Sequence, residues 1–187
     1  MNVLYLLPLK GVVLHGHQLA LEYKDLYVQR SCPRCHDIKA EFRSCSLDVR
    51  IVGSIELSGP SLGIWPPYSI DIVRRDLCDF ILRHSRDFSV GNVYLNNVIV
   101  PEFLSLIPQS TIRVPFNGND KSTTYPCKTC GRRCEMLIDE WLSRDDLGDR
   151  EVFSRAGGGG LYITDTILHD LPDAVRTELK FEQVSLR

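Results

Sequence analysis

Long apolar runs are missing from this sequence. Nothing in it approaches the roughly 18 consecutive apolar residues that argue a membrane-spanning helix. An excess of charge is missing too: 22 lysines and arginines stand against 24 aspartates and glutamates, a formal net charge of −2. The densest basic group, Lys128, Arg132 and Arg133, is too sparse for the stripe with which a protein usually grips a polyanion. There is no HExxH motif. The His-x-Glu half of the zinc-deaminase signature is also absent, although PCKTC occurs at 126–130. The glycines at 157–160 are not followed by Lys-Ser or Lys-Thr, which excludes a phosphate loop and leaves a flexible hairpin tip. The opening segment, MNVLYLLPLKGVV, lacks the marks of an export signal. No basic residue precedes its apolar run, Lys10 interrupts it, and no small-x-small cleavage site follows. A cytoplasmic location is expected.

What the sequence does contain is cysteine, at positions 32, 35, 45, 78, 127, 130 and 134. An odd number of cysteines in a chain without an export signal favours reduced thiols and metal over a disulfide framework. Two pairs have the spacing of half a metal site: Cys32 and Cys35 in SCPRCHD, and Cys127 and Cys130 in YPCKTCGRRCE. Zinc takes four ligands in a tetrahedron, and a tight turn supplies two thiolates at a time. Within such a turn the backbone N–H groups after the first cysteine point back at the sulfurs. Gly131 follows the second pair, where positive φ is often needed. Pro33 fixes the turn value of φ in the first pair, and His36 stands where the glycine would be.

The pairs lie much farther apart than the usual 15–20 residues of a ribbon. A long closed loop adds only about 0.6 kcal/mol per doubling of its length, so the segment between them can be a folded insert. One structural zinc held by Cys32, Cys35, Cys127 and Cys130 is the expected site. With four protein thiolates no position stays open for catalysis, and no enzyme is expected. Other readings remain beside it. The first pair can be a redox dithiol, the cysteines can be buried hydrophobes, and Cys134, Cys45 or His36 can replace one ligand.

The remaining pattern is α+β, with many short strands and few helices. Strands are expected at Val3–Leu7, at Leu19–Tyr23, over LYV at 26–28, and around Val49, Ile51, Ile55 and Leu57. The stripe Ile70, Val73, Leu77, Phe80 and Ile81 predicts a helix capped by Ser69, with Asp71 in its first turn and Cys78 beside the core. NVYLNNVIV is either a hairpin at Asn96–Asn97 or one irregular strand. Strands are also expected at 134–138, 152–155 and 161–164. A short helix follows, capped by Thr164 or Asp165, and the chain closes with the strand LKFEQV. The organisation expected is a single domain, 1–187, with zinc knuckles at 30–46 and 122–136. A folded insert spans 47–121, and a strand-helix-strand unit spans 150–187.

Several features have plain readings. The two histidines of HGH at 15–17 flank a glycine-centred turn with no further ligand near. His169 has no nucleophile in a recognisable context. Trp65 in GIWPPY is a proline-braced core residue or an interface anchor. The acidic run of Asp139, Glu140, Asp145, Asp146, Asp149 and Glu151 is a solvated face, or a surface complementary to a basic partner with Trp141 as its anchor.

The layout as a whole resembles that of the double-CxxCG-motif immunity proteins of bacterial polymorphic-toxin systems. The resemblance rests on CPRC at 32–35, a Pro/Gly-rich middle with a helix, CKTCG at 127–131, the acidic Trp/Leu-containing segment, and the closing short helix with LKFEQV. It departs at His36, where the family has glycine. The resemblance implies a cytoplasmic antidote that binds and neutralises a cognate protein toxin without catalysis. It carries over no toxin-binding residues, so Asp145, Asp146, Asp149 and Trp141 are contact candidates on charge and aromatic content alone. The competing expectation is a zinc-ribbon nucleic-acid-binding or regulatory protein using Lys128, Arg132 and Arg133.

Overall fold

Val3, Leu4, Tyr5, Leu6 and Leu7 are apolar without alternation because the strand they form, β1 (Val3–Pro8), is covered on both faces. The computed structural model describes residues 2–8, 29, 32–34, 39, 48–63, 71–110, 125–130, 133–134, 141–142, 144–154 and 161–186, without the side chains of 7–8, 61–63, 125–126, 133–134, 141 and 146. Among these residues β1 lies in the middle of a five-stranded sheet. On one side it pairs antiparallel with β11 (Leu161–Thr164), which pairs in turn with β10 (Val152–Ser154). On the other it pairs with β12 (Leu179–Leu186), whose end carries the short parallel strand β9 (Trp141–Leu142).

A second five-stranded sheet is built from residues 49–108. Its order is β2 (Val49–Ile51), β5 (Phe88–Leu95), β6 (Val98–Pro108), β4 (Asp71–Arg74) and β3 (Ser61–Gly63), with β2 parallel to β5 and the rest antiparallel. The fold is thus α+β, as expected.

The helix predicted from Ser69 begins later. Asp71–Arg74 is strand β4, and α1 runs from Arg75 to His84. Ser69 and Ile70 lie outside the described residues. β-Branched Ile72 and Val73 pair with Ser105 and Leu104 of β6, which suits their stiff side chains better than a first helical turn. The helical spacing runs on through the strand because Val73 faces the same core as Leu77, Phe80 and Ile81. Asp76, not Asp71, occupies the first turn, and its carboxylate accepts the Leu77 N–H at 2.8 Å.

The ambiguity at NVYLNNVIV is settled as a hairpin. Asn96 and Asn97 have φ of 49° and 67°, the pair of left-handed residues that a two-residue type I′ turn requires. The Asn96 side chain reaches back to Gly53, accepting from its N–H at 3.0 Å and donating to its carbonyl at 3.1 Å. Asn97 makes no comparable contact among the described residues, so Asn97→Gly should raise stability by about 0.5 kcal/mol by removing left-handed strain. A denaturant melt of the two proteins checks the sign.

Ile55 and Leu57 lie in irregular chain rather than in the expected strand. The expected strand residues 19–23 and 26–28, the HGH at 15–17, Trp65 and the glycines at 157–160 lie outside the described residues. Toward the C-terminus, Thr164 is the N-cap residue of a 3-10 helix, Asp165–Asp170, which is followed by α3 (Asp173–Arg176). Arg176 donates from one nitrogen to the carbonyls of Leu168, His169 and Leu171 at 3.0–3.2 Å, closing the end of the 3-10 helix.

One core joins the two sheets. Leu77, Cys78, Phe80 and Ile81 of α1 pack with Leu6, Val152, Leu161 and Ile163 of the first sheet and with Val73, Phe88, Leu104 and Leu106 of the second. Cys78 is the small core residue expected, and burial pushes its thiol up to about 11. A second cluster fills the other face of the first sheet. It contains Val3, Leu142, Leu147 of α2 (Arg144–Leu147), Val184, and the stacked rings of Phe153 and Tyr162 with centroids 5.4 Å apart. Polar ties reinforce the join. Arg74 reaches Asp76 at 2.9 Å and Glu178 at 2.9 Å, and His84 lies between Glu151 at 3.1 Å and Asp170 at 3.3 Å.

Asp165 accepts from the Asn2 backbone N–H at 2.9 Å and from the Asn2 amide at 2.8 Å, and the backbone bond first of all lowers its pKa. A lowered carboxylate pKa contributes stability that is whole above the ordinary aspartate value, about 4. That contribution is lost as pH falls through the lower folded-state value. The Asp165→Asn variant should therefore melt below the parent at neutral pH and converge with it as pH falls through that lowered value, as read by thermal melts across pH.

Candidate metal centre

Cys127 follows β7 (Tyr125–Pro126), which pairs antiparallel with β8 (Arg133–Cys134) in a two-stranded ribbon of their own. Residues 128–130 form the turn at its tip. That turn aims backbone N–H groups at the Cys127 sulfur: the N–H of Cys130 first, then that of Thr129, holds the thiol down to about 6. These bonds favour the Cys127 thiolate, the form that binds metal. The sequence expectation of inward-pointing N–H groups is met at this knuckle.

Cys32, 95 positions upstream, comes to the same place. Its Sγ lies 3.7 Å from Cys127 Sγ, and the sulfurs of Cys32, Cys127 and Cys130 all lie within 4.8 Å of one another. Cys32 and Cys127 are not joined by a disulfide, which needs a sulfur separation near 2.05 Å. A zinc–sulfur bond of about 2.3 Å implies an S···S edge of about 3.8 Å in a tetrahedron. The observed separation fits that edge, and the donor set is the soft one that thiophilic metals select. The cluster can hold a metal ion.

Burial is uneven across it. Cys32 is 2% exposed and Cys127 is 6% exposed, whereas Cys130 is exposed. Cys35 lies outside the described residues, as do His36, Cys45 and the side chain of Cys134; the backbone of Cys134 is in β8. Three of the four expected ligands are thus brought together. Pro33 and Arg34 form the turn after Cys32.

The other candidates scatter. Asp145 in α2 and Asp149 just beyond it are exposed. Glu151, counted in the same acidic run, is engaged by His84 within the fold. The side chains of Asp146 and Trp141 lie outside the described residues, as do Asp139 and Glu140. Lys128 is exposed on the ribbon turn, while Arg132 and the side chain of Arg133 are not described. His169 is exposed and meets Asp170 at 3.1 Å. The placement of His84 between two carboxylates had no sequence signal, because its partners are 67 and 86 positions away.

Fold and site together define an α+β protein with a clustered-thiol centre able to take a metal ion. No protein-family model matches the chain, and no curated protein matches it. Among the described residues no helix is long and apolar enough to cross a membrane.

Proposed function

We propose that the chain is a cytoplasmic immunity protein that binds and neutralises a cognate bacterial protein toxin without catalysis. A structural zinc would be held by Cys32, Cys35, Cys127 and Cys130. The observation that carries the reading is the meeting of Cys32 with Cys127 and Cys130. The two cysteine motifs on which the resemblance to double-CxxCG immunity proteins rests belong to one site. In this reading the four thiolates hold the ion and leave it no open position, so the metal supplies folding energy rather than chemistry.

Affinity purification of the tagged chain from its own bacterium tests the reading. The expected result is a stoichiometric partner whose toxicity in a sensitive strain is relieved by coexpressing this chain, with about one zinc per chain by elemental analysis. Co-eluting nucleic acid, held with an affinity that falls steeply with salt, would replace the reading by that of a zinc-ribbon nucleic-acid binder using Lys128.

Exposed Asp145 and Asp149 are the proposed steering charges of the toxin-binding surface, with Asp146 and Trp141 beside them in sequence. Rim charges act mainly on the rate of encounter. The double variant Asp145→Lys, Asp149→Lys should slow association with the toxin about tenfold at low salt and leave the melting temperature nearly unchanged. Stopped-flow association at two salt concentrations measures it.

A further inference from the structure

The three clustered cysteines differ in exposure, and that difference has a chemical consequence. Cys32 and Cys127 are buried and Cys130 is exposed, so a small electrophile from solvent meets Cys130 first. A second sulfur, that of Cys127, lies within 4.8 Å in the same turn. An exposed cysteine with a second cysteine beside it is the arrangement of a redox-sensing pair. We infer that Cys130 is an oxidation site through which peroxide disassembles the metal centre, with Cys127 as the resolving cysteine. This inference rests on the metal-centre reading given above and concerns the regulation of that same site.

The chemistry balances with hydrogen peroxide as the oxidant. The Cys130 thiolate attacks one peroxide oxygen; an S–O bond forms, the O–O bond breaks, and the departing hydroxide takes a proton from solvent to become water. The Cys127 thiolate then attacks the Cys130 sulfur. An S–S bond forms, the S–O bond breaks, and the second hydroxide leaves as water after taking another proton. Two thiolates lose two electrons, and one peroxide becomes two waters. The Cys127–Cys130 disulfide removes two donors from one knuckle, and the cluster loses its hold on the ion. Cys32 is left reduced. Because Cys32 meets the ribbon turn at this cluster, oxidation loosens positions 32 and 127 from each other.

Two measurements on the full wild-type chain, as purified, test this without a variant that fails to fold. Limiting iodoacetamide followed by peptide mass spectrometry should label Cys130 about tenfold ahead of Cys32 and Cys127. Equimolar hydrogen peroxide, with a chromogenic chelator present, should release the zinc in step with a Cys127–Cys130 disulfide. Equal labelling of the three thiols, or zinc that stays bound while peroxide is consumed, overturns the inference and leaves the proposed function intact. Protein that purifies without metal removes the zinc reading, and the labelling order still decides whether Cys130 is the entry point.

Discussion

Cys127→Ser is expected to leave little soluble, folded protein. The sulfur it removes sits at the centre of the site, 3.7 Å from Cys32 Sγ, and it accepts the backbone N–H groups of Cys130 and Thr129. A serine hydroxyl is a hard, protonated donor at neutral pH and does not replace a thiolate toward a thiophilic metal. Structural zinc contributes on the order of 10 kcal/mol of folding energy in small domains, against a total stability of about 5–15 kcal/mol. On the proposed zinc reading, that loss is enough to unfold the chain. Soluble yield, thermal melting and bound zinc, measured together, check the prediction. Cys78→Ala serves as the control. That thiol is buried in the core away from the cluster, so the variant should melt a few degrees lower and keep its metal. If Cys127→Ser stays soluble and melts with the parent, the cluster has no structural role.

Phe80→Ala should cost about 3–5 kcal/mol, the usual range for a fully buried phenylalanine. Phe80 is 0% exposed and lies in the cluster where α1 meets both sheets. The distinctive expectation is that both sheets lose stability together. Amide hydrogen exchange should show protection falling by a similar factor in β1 and in β6. Protection kept in β1 while β6 opens would show that the two sheets are separate cooperative units.

The elements that were legible in the sequence are those governed by near neighbours. The apolar run of β1 signalled a strand, and the stripe from Leu77 to Ile81 signalled α1. Asn96–Asn97 signalled a turn, although only the positive φ values separate a hairpin from an irregular strand. The helix start was misread because periodicity reports which residues share a core and not which backbone carries them. Val73 satisfies the stripe from a strand. Ile55 and Leu57 pair with no strand among the described residues, and β-propensity has little force without a partner strand.

The metal centre divides in the same way. Spacing made Cys127 and Cys130 a ligand pair, because a C-x-x-C turn places its own N–H groups on its own sulfur. The sequence by itself determined such things: turns, knuckles, the apolar stripe, and a charge balance that argues against polyanion binding. Only the tertiary structure decided that Cys32 closes on Cys127, that β1 lies between β11 and β12, and that of the three clustered cysteines Cys130 is the exposed one. Local choices follow from sterics and hydrogen bonds spanning a few residues. Pairings across 95 positions or more are chosen by the burial that the whole chain achieves at once, and no short stretch carries that information.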